Sequence, residues 1–135
     1  MLTKIDHIAV VVQDLDAALR VYRDGLGLSL ARVEEVPAEH VKVAFLPLPA
    51  GSGEIELVQP TDDASGIARY LAKRGEGMHH ICFQVDDIRS AMAQLAADGL
   101  QILESAPRLG NQGQKYVFVH PKTAHGVLIE LYEVP

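Results

Sequence analysis

Four residues carry a pattern that could do chemistry: His7, Glu56, His80 and Glu130. The two histidines each stand inside an apolar run, in Ile5-Asp6-His7-Ile8-Ala9-Val10 and in Gly77-Met78-His79-His80-Ile81-Cys82-Phe83, at an offset of 73 residues. Asp14 and Asp87, which follow them, keep the same offset. Glu56 and Glu130 recur at an offset of 74, inside Glu54-Ile55-Glu56-Leu57-Val58 and Leu128-Ile129-Glu130-Leu131-Tyr132. Taken singly, a strand histidine is most often a hydrogen-bonded core residue, and a strand glutamate faces water because a buried unpaired carboxylate is costly. Two imidazoles and two carboxylates at matching places of a repeat are a different matter. One divalent cation would offset their burial, and nitrogen with oxygen donors suits Mn, Fe, Co, Ni or Zn better than Ca or Mg.

The elements that must position them follow from the hydrophobic pattern. Residues 5–12 alternate as a strand, with Ile8, Val10 and Val12 on the face that packs under a helix and His7, Ala9 and Val11 on the other. Asp14 is a helix N-cap, Leu15, Ala18, Leu19 and Tyr22 fall at helical spacing, and Gly25 and Gly27 stop the helix. Strands are expected at about 29–36, 41–47 and 54–59, separated by Pro37 and by Pro49-Ala50-Gly51-Ser52-Gly53. A connector over 61–77 carries a short helix capped by Ser65, with Ile67, Tyr70 and Leu71 inward.

The second half repeats the plan. Ile81, Phe83 and Val85 share one face, and His80, Cys82 and Gln84 the other. Asp86 or Asp87 caps a helix with Ile88, Ala91, Met92 and Leu95 inward, closed by Asp98-Gly99. Strands are then expected at about 100–105, 115–120 and 126–133, with the Gly110-Asn111-Gln112-Gly113 loop between the first two. Each half reads β-α-β-β-β, which makes an α+β chain of two modules related by a pseudo-twofold. The expected organisation is one domain over 1–135, with module 1 at about 1–60, the connector at 61–77 and module 2 at about 78–135. All four candidate ligands fall on the strand face without the helix-packing residues, and strand parity is a reliable guide to side-chain direction.

Composition narrows the classes. With 135 residues, 48% of them hydrophobic, the chain can bury one proper core. No run approaches a membrane span, and Met1-Leu2-Thr3-Lys4 is unlike a signal peptide. The lone Cys82 forbids an intrachain disulfide and fits a reducing cytoplasm. A net charge of −6 and the absence of Trp argue against a nucleic-acid partner.

The stretches Ile5-Asp6-His7-Ile8, Gly75-Glu76-Gly77-Met78-His79-His80-Ile81, and His120-Pro121-Lys122 running to Gly126-Val127-Leu128-Ile129-Glu130-Leu131 resemble the vicinal oxygen chelate (glyoxalase/bleomycin resistance/dioxygenase) superfamily, and within it the methylmalonyl-CoA epimerases. The resemblance spans essentially the whole chain. It implies paired β-α-β-β-β modules forming a cupped mixed sheet around a metal, ligated by His7, His80 and Glu130 with Glu56 as the fourth donor. It implies a divalent metal, Co2+ first, with Mn2+, Ni2+ or Zn2+ also fitting the donors. It further implies a CoA thioester substrate and a homodimer, with neither nucleic acid nor membrane as partner. His79 differs from His80 in strand parity and is expected to pack or support.

An enzyme of this kind inverts the carbon between a thioester and a carboxylate, which asks for two acid/base groups. Glu130 is the first by resemblance. Bacterial relatives have a second glutamate where this chain has Val43, so Glu56, a water or the substrate carboxylate would have to serve. Lys122, Arg108, Lys115 and the 110–113 loop are candidates for the anionic CoA tail; His40, His120 and His125 have no partner that the sequence names. Two rival readings remain: a glyoxalase I-like lactoylglutathione lyase, which uses a similar ligand set, and a metal-free drug-sequestering protein of the same fold, which the complete quartet argues against.

Overall fold

The computed structural model describes residues 1–110 and 112–135, so Asn111 of the expected 110–113 loop lies outside the described residues. The chain forms two compact units, Ile8–His79 and Met1–His7 with His80–Pro135. Strand β1 (Leu2–Val11) contributes to both.

In the unit Ile8–His79, the strands β2 (Arg32–Val36), β3 (Val41–Pro47) and β4 (Glu54–Pro60) join β1 in the order β2-β3-β4-β1. The antiparallel register sets Val43 opposite Val58 and Phe45 opposite Glu56. Helix α1 (Leu15–Leu19) begins where expected: Asp14 accepts hydrogen bonds from the amides of Asp16 and Ala17, which satisfies donors that the first turn leaves open. Its buried Leu15 and Leu19 pack with Val12, Ala44, Leu46 and Leu57, and Val10 and Tyr22 lie against that cluster. The predicted helix does not simply continue to Gly25. It widens into a π-helical turn over Arg20–Gly25, in which the Leu26 amide donates to the Val21 carbonyl at 2.8 Å. Gly27 then turns the chain at φ +81°, a value that favours glycine. The opposite sheet face buries Ala9, Val41, Val43 and Val58 against Ile67 of helix α2 (Gly66–Arg74), which Ser65 caps through the Ala68 amide.

In the other unit, β5 (Gly77–Val85), β6 (Arg108–Leu109), β7 (Lys115–Val119) and β8 (Ile129–Glu133) follow the first half of β1 in the order β1-β5-β8-β7-β6. β5 and β8 run parallel with Cys82 opposite Glu130, and β7 is antiparallel to β8 with Phe118 opposite Glu130. Helix α3 (Ile88–Ala97) is capped by Asp87, not Asp86, through the Ser90 amide. The Ile88 amide donates to Glu133 Oε2 at 2.7 Å, which ties the helix start to the last strand. Ile88 and Ala91 pack on Val85, Val117, Val119 and Leu131, with Met92 and Leu95 beside them.

The strand expected at 100–105 is absent. That segment makes only an isolated bridge, Ile102 to Val119, and Glu104 Oε1 takes the Phe118 amide at 2.8 Å in place of a backbone carbonyl. Pro107, which has no amide hydrogen, follows shortly after, and pairing resumes as the two-residue β6. The last strand is also shorter than the expected 126–133, because Gly126 turns at φ +90° before it. No helix among the described residues is long and apolar enough to cross a membrane.

Candidate metal centre

Strand parity places three of the four sequence-predicted ligands together. His7 on β1, His80 on β5 and Glu130 on β8 each offer one donor atom, and the three atoms lie within 4.8 Å of one another. His80 Nε2 is 3.0 Å from Glu130 Oε1, His7 Nε2 is 3.1 Å from His80 Nε2, and His7 Nε2 is 3.6 Å from Glu130 Oε1. The side chains are 8%, 14% and 12% exposed, so the cluster is shielded but retains an open side. Glu56 stands half-buried on β4 in the unit Ile8–His79, opposite Phe45.

The donor atoms fit a divalent ion. Ligands bonded at about 2.1 Å to one centre stand about 3.0 to 3.4 Å from their neighbours, whether the bonds are at right angles or tetrahedral. The two imidazole Nε2 atoms at 3.1 Å stand at hydrogen-bond distance, one N–H meeting the other's lone pair, and with an ion between them both would offer lone pairs. A second grouping, Asp6, His7 and Cys82, also lies within 4.8 Å but is chemically poorer. Burial pushes the Cys82 thiol up to about 12, so it stays protonated and is no thiolate ligand, in keeping with a small core residue.

The carboxylate is the charged member. Burial alone would raise the pKa of Glu130, but the His80 and His7 imidazoles beside the carboxylate outweigh it and hold the group down to about 2. In the metal-free protein that depression from 4.5 is stabilising above the unfolded value and is lost as the pH falls through about 2. Metal-free Glu130→Gln should therefore be less stable than wild type at pH 5 by on the order of 3 kcal/mol, and the gap should be roughly halved at pH 3. Chemical denaturation at both pH values checks this; equal gaps would mean that the imidazoles do not hold the carboxylate.

Behind His7 lies an arrangement that sequence parity does not foresee. The His7 Nδ1–H donates to Asp6 Oδ2 at 2.7 Å, and the Gln84 amide nitrogen donates to Asp6 Oδ1 at 2.7 Å. Burial would raise the pKa of Asp6, but these hydrogen bonds outweigh it and the carboxyl lies below its usual range. The only sequence signal was the presence of Asp6 in the Asp-His motif and of Gln84 on the ligand face. Phe118, which the sequence reading did not single out, packs its edge against the His80 ring with centroids 5.7 Å apart.

The remaining histidines and cations take other roles. His79 packs edge-on against Tyr70, as its parity suggests. His40 pairs with Asp62, and His120 Nδ1 accepts from the Lys122 amide. Among the candidates for an anionic tail, Arg108 is near Glu104 and over the Tyr116 ring, and Lys115 pairs with Glu133. Lys122 is exposed in the turn Pro121–Thr123. Val43 is buried with Ala9, Val41 and Val58, in a setting that carries no proton.

Residues 6–118 match the profile of the Glyoxalase/Bleomycin resistance protein/Dioxygenase superfamily. An ethylmalonyl-CoA/methylmalonyl-CoA epimerase from Cereibacter sphaeroides is 38% identical to this chain, with 99% of this chain and 100% of that protein aligned. A solved methylmalonyl-CoA epimerase in complex with methylmalonyl-CoA and NH4+ superposes with a TM-score of 0.87 at 36% identity, covering 98% of this chain and 95% of that one. A lactoylglutathione lyase from Haemophilus influenzae is more distant, at 30% identity over 96% of this chain and 92% of its own.

Proposed function

Because the chain belongs to the glyoxalase/bleomycin resistance protein/dioxygenase superfamily, we propose that it interconverts the (2R) and (2S) forms of methylmalonyl-CoA. It is an isomerase acting on a CoA thioester. The observation that carries this reading is the convergence of His7 Nε2, His80 Nε2 and Glu130 Oε1 on one small volume, in a chain aligned end to end with an epimerase.

His7, His80 and Glu130 would hold the divalent ion, with Glu56 as the fourth donor and Co2+ as the first choice of metal. When bound, such an ion supplies Lewis-acid stabilisation of the negative charge that develops on the thioester oxygen. The chain's own part is proton transfer. Glu130 is ionised at neutral pH, the state a base requires, and takes the α-proton: the C–H bond breaks, its electron pair passes into the thioester as an enolate, and the proton rests on the carboxylate. Inversion is complete when a proton returns to the other face of the same carbon. Since Val43 cannot supply it, Glu56, a water or the substrate carboxylate does so. Lys122, Arg108 and Lys115 are the candidates for the anionic tail of the substrate. The buried lone thiol supports a cytoplasmic setting, and the family resemblance supports a homodimer.

The test sets metal-loaded protein against two substrates. Racemisation of methylmalonyl-CoA, with incorporation of solvent deuterium at the α-carbon, is expected. Isomerisation of a glutathione hemithioacetal without action on the CoA thioester would replace this reading with the lyase one.

A further inference from the structure

We infer that Asp6, braced by Gln84, is a positioning residue that sets the tautomer of His7 and so determines which ring nitrogen is offered to the ion. The inference rests on the reading of His7, His80 and Glu130 as a metal centre. Neighbouring residues of a strand point to opposite faces, and yet the Asp6 carboxylate reaches Nδ1 of the next residue at 2.7 Å. Gln84 holds it there from β5, with its amide nitrogen 2.7 Å from the other carboxylate oxygen. A second tie runs alongside, from the Thr3 hydroxyl to the Gln84 carbonyl at 3.3 Å.

The proton assignments follow from the acceptors. An ionised carboxylate only accepts hydrogen bonds, so the hydrogen between Asp6 and His7 resides on Nδ1. The Gln84 amide must turn its nitrogen to Asp6, because the reverse orientation would set two oxygens at 2.7 Å. Both oxygens of Asp6 are thereby engaged. His7 is left with a bare Nε2 lone pair, and that atom is the one facing His80 and Glu130. In the other tautomer, the Nδ1 lone pair would face a carboxylate oxygen and the hydrogen would occupy the position the ion needs. A carboxylate behind a ligating imidazole also makes the ring a stronger donor.

The variant Asp6→Asn discriminates this role from simple bracing of the strand. Gln84 continues to donate to the asparagine carbonyl, which turns the new amide nitrogen towards His7 Nδ1 and drives the ring hydrogen to Nε2. Two readouts apply, both independent of turnover. In metal-free protein, long-range 1H–15N correlation spectra should show His7 protonated at Nδ1 in wild type and at Nε2 in the variant. Calorimetric titration with Co2+ should show an affinity lower by about 10- to 100-fold in the variant. Should Asp6→Asn not fold, Gln84→Leu carries the same measurements, with mixed His7 tautomers and a smaller loss of affinity expected. A His7 that keeps Nδ1–H in Asp6→Asn, or a Co2+ affinity within twofold of wild type, overturns the inference. If wild type itself binds no Co2+, the metal reading fails, while the His7 spectra still decide what Asp6 does.

Discussion

Glu130→Gln loaded with metal should lose exchange of the substrate α-proton with deuterated water by about 10²- to 10⁴-fold, the usual contribution of a positioned general base. Glutamine retains the size of the side chain and one oxygen acceptor towards His80, which lies 3.0 Å away, but cannot take up a proton. The measurement must be made on protein whose metal content has been verified, because Glu130 is also a proposed ligand and the substitution weakens that role too. Under those conditions the loss belongs to proton transfer. Retained exchange would remove Glu130 as the base and leave it a ligand only. Loss of net racemisation with exchange preserved would show that it serves the return of the proton on one face.

Removing the metal should have an effect of similar size. Lewis-acid stabilisation of a developing enolate contributes several kcal/mol, which corresponds to about 10³-fold in rate. A chelator strong enough to strip the ion should bring racemisation to the background of the thioester's own acidity, and restoring Co2+ should recover it. His80→Ala should reproduce the loss without a chelator, since it removes one donor from a cluster whose atoms lie within 4.8 Å. The alanine also leaves the carboxylate of Glu130 without its 3.0 Å partner. Full activity in stripped wild type would refute a metal-assisted reaction and would place the stabilising charge elsewhere in the chain.

Much of the His7, His80 and Glu130 cluster could be read from the sequence because side-chain direction in a strand is a local property with a period of two. That periodicity separated His80 from His79, and the structure sets His80 beside His7 and Glu130 while His79 packs on Tyr70. Helix starts were equally local: Asp14, Ser65 and Asp87 each accept the amide hydrogen bonds that their residue types suggest. What escaped depends on pairing between distant segments. Gln84 meets Asp6 from 78 residues away, and only the neighbouring strands bring them together. The missing strand at 100–105 has the same origin, since Glu104 takes the Phe118 amide by a side chain and no hydrophobic pattern encodes that substitution. The π-helical turn after Leu19 is a third case, as apolar spacing looks alike for either helix.

The division of β1 has a consequence for assembly. Its residues Leu2–His7 belong with His80–Pro135, so His7 joins a group whose other donors come from β5 and β8. During synthesis the cluster cannot close until β8 has been made, and capture of a metal there would therefore be a late event in maturation. Joining ends some 73 residues apart costs about 4 kcal/mol of chain entropy. An ion that bridges β1 to β5 and β8 repays part of that cost, acting as a clasp on the polypeptide as well as a reagent. At a free concentration of 100 times its Kd it would add about 2.7 kcal/mol to stability.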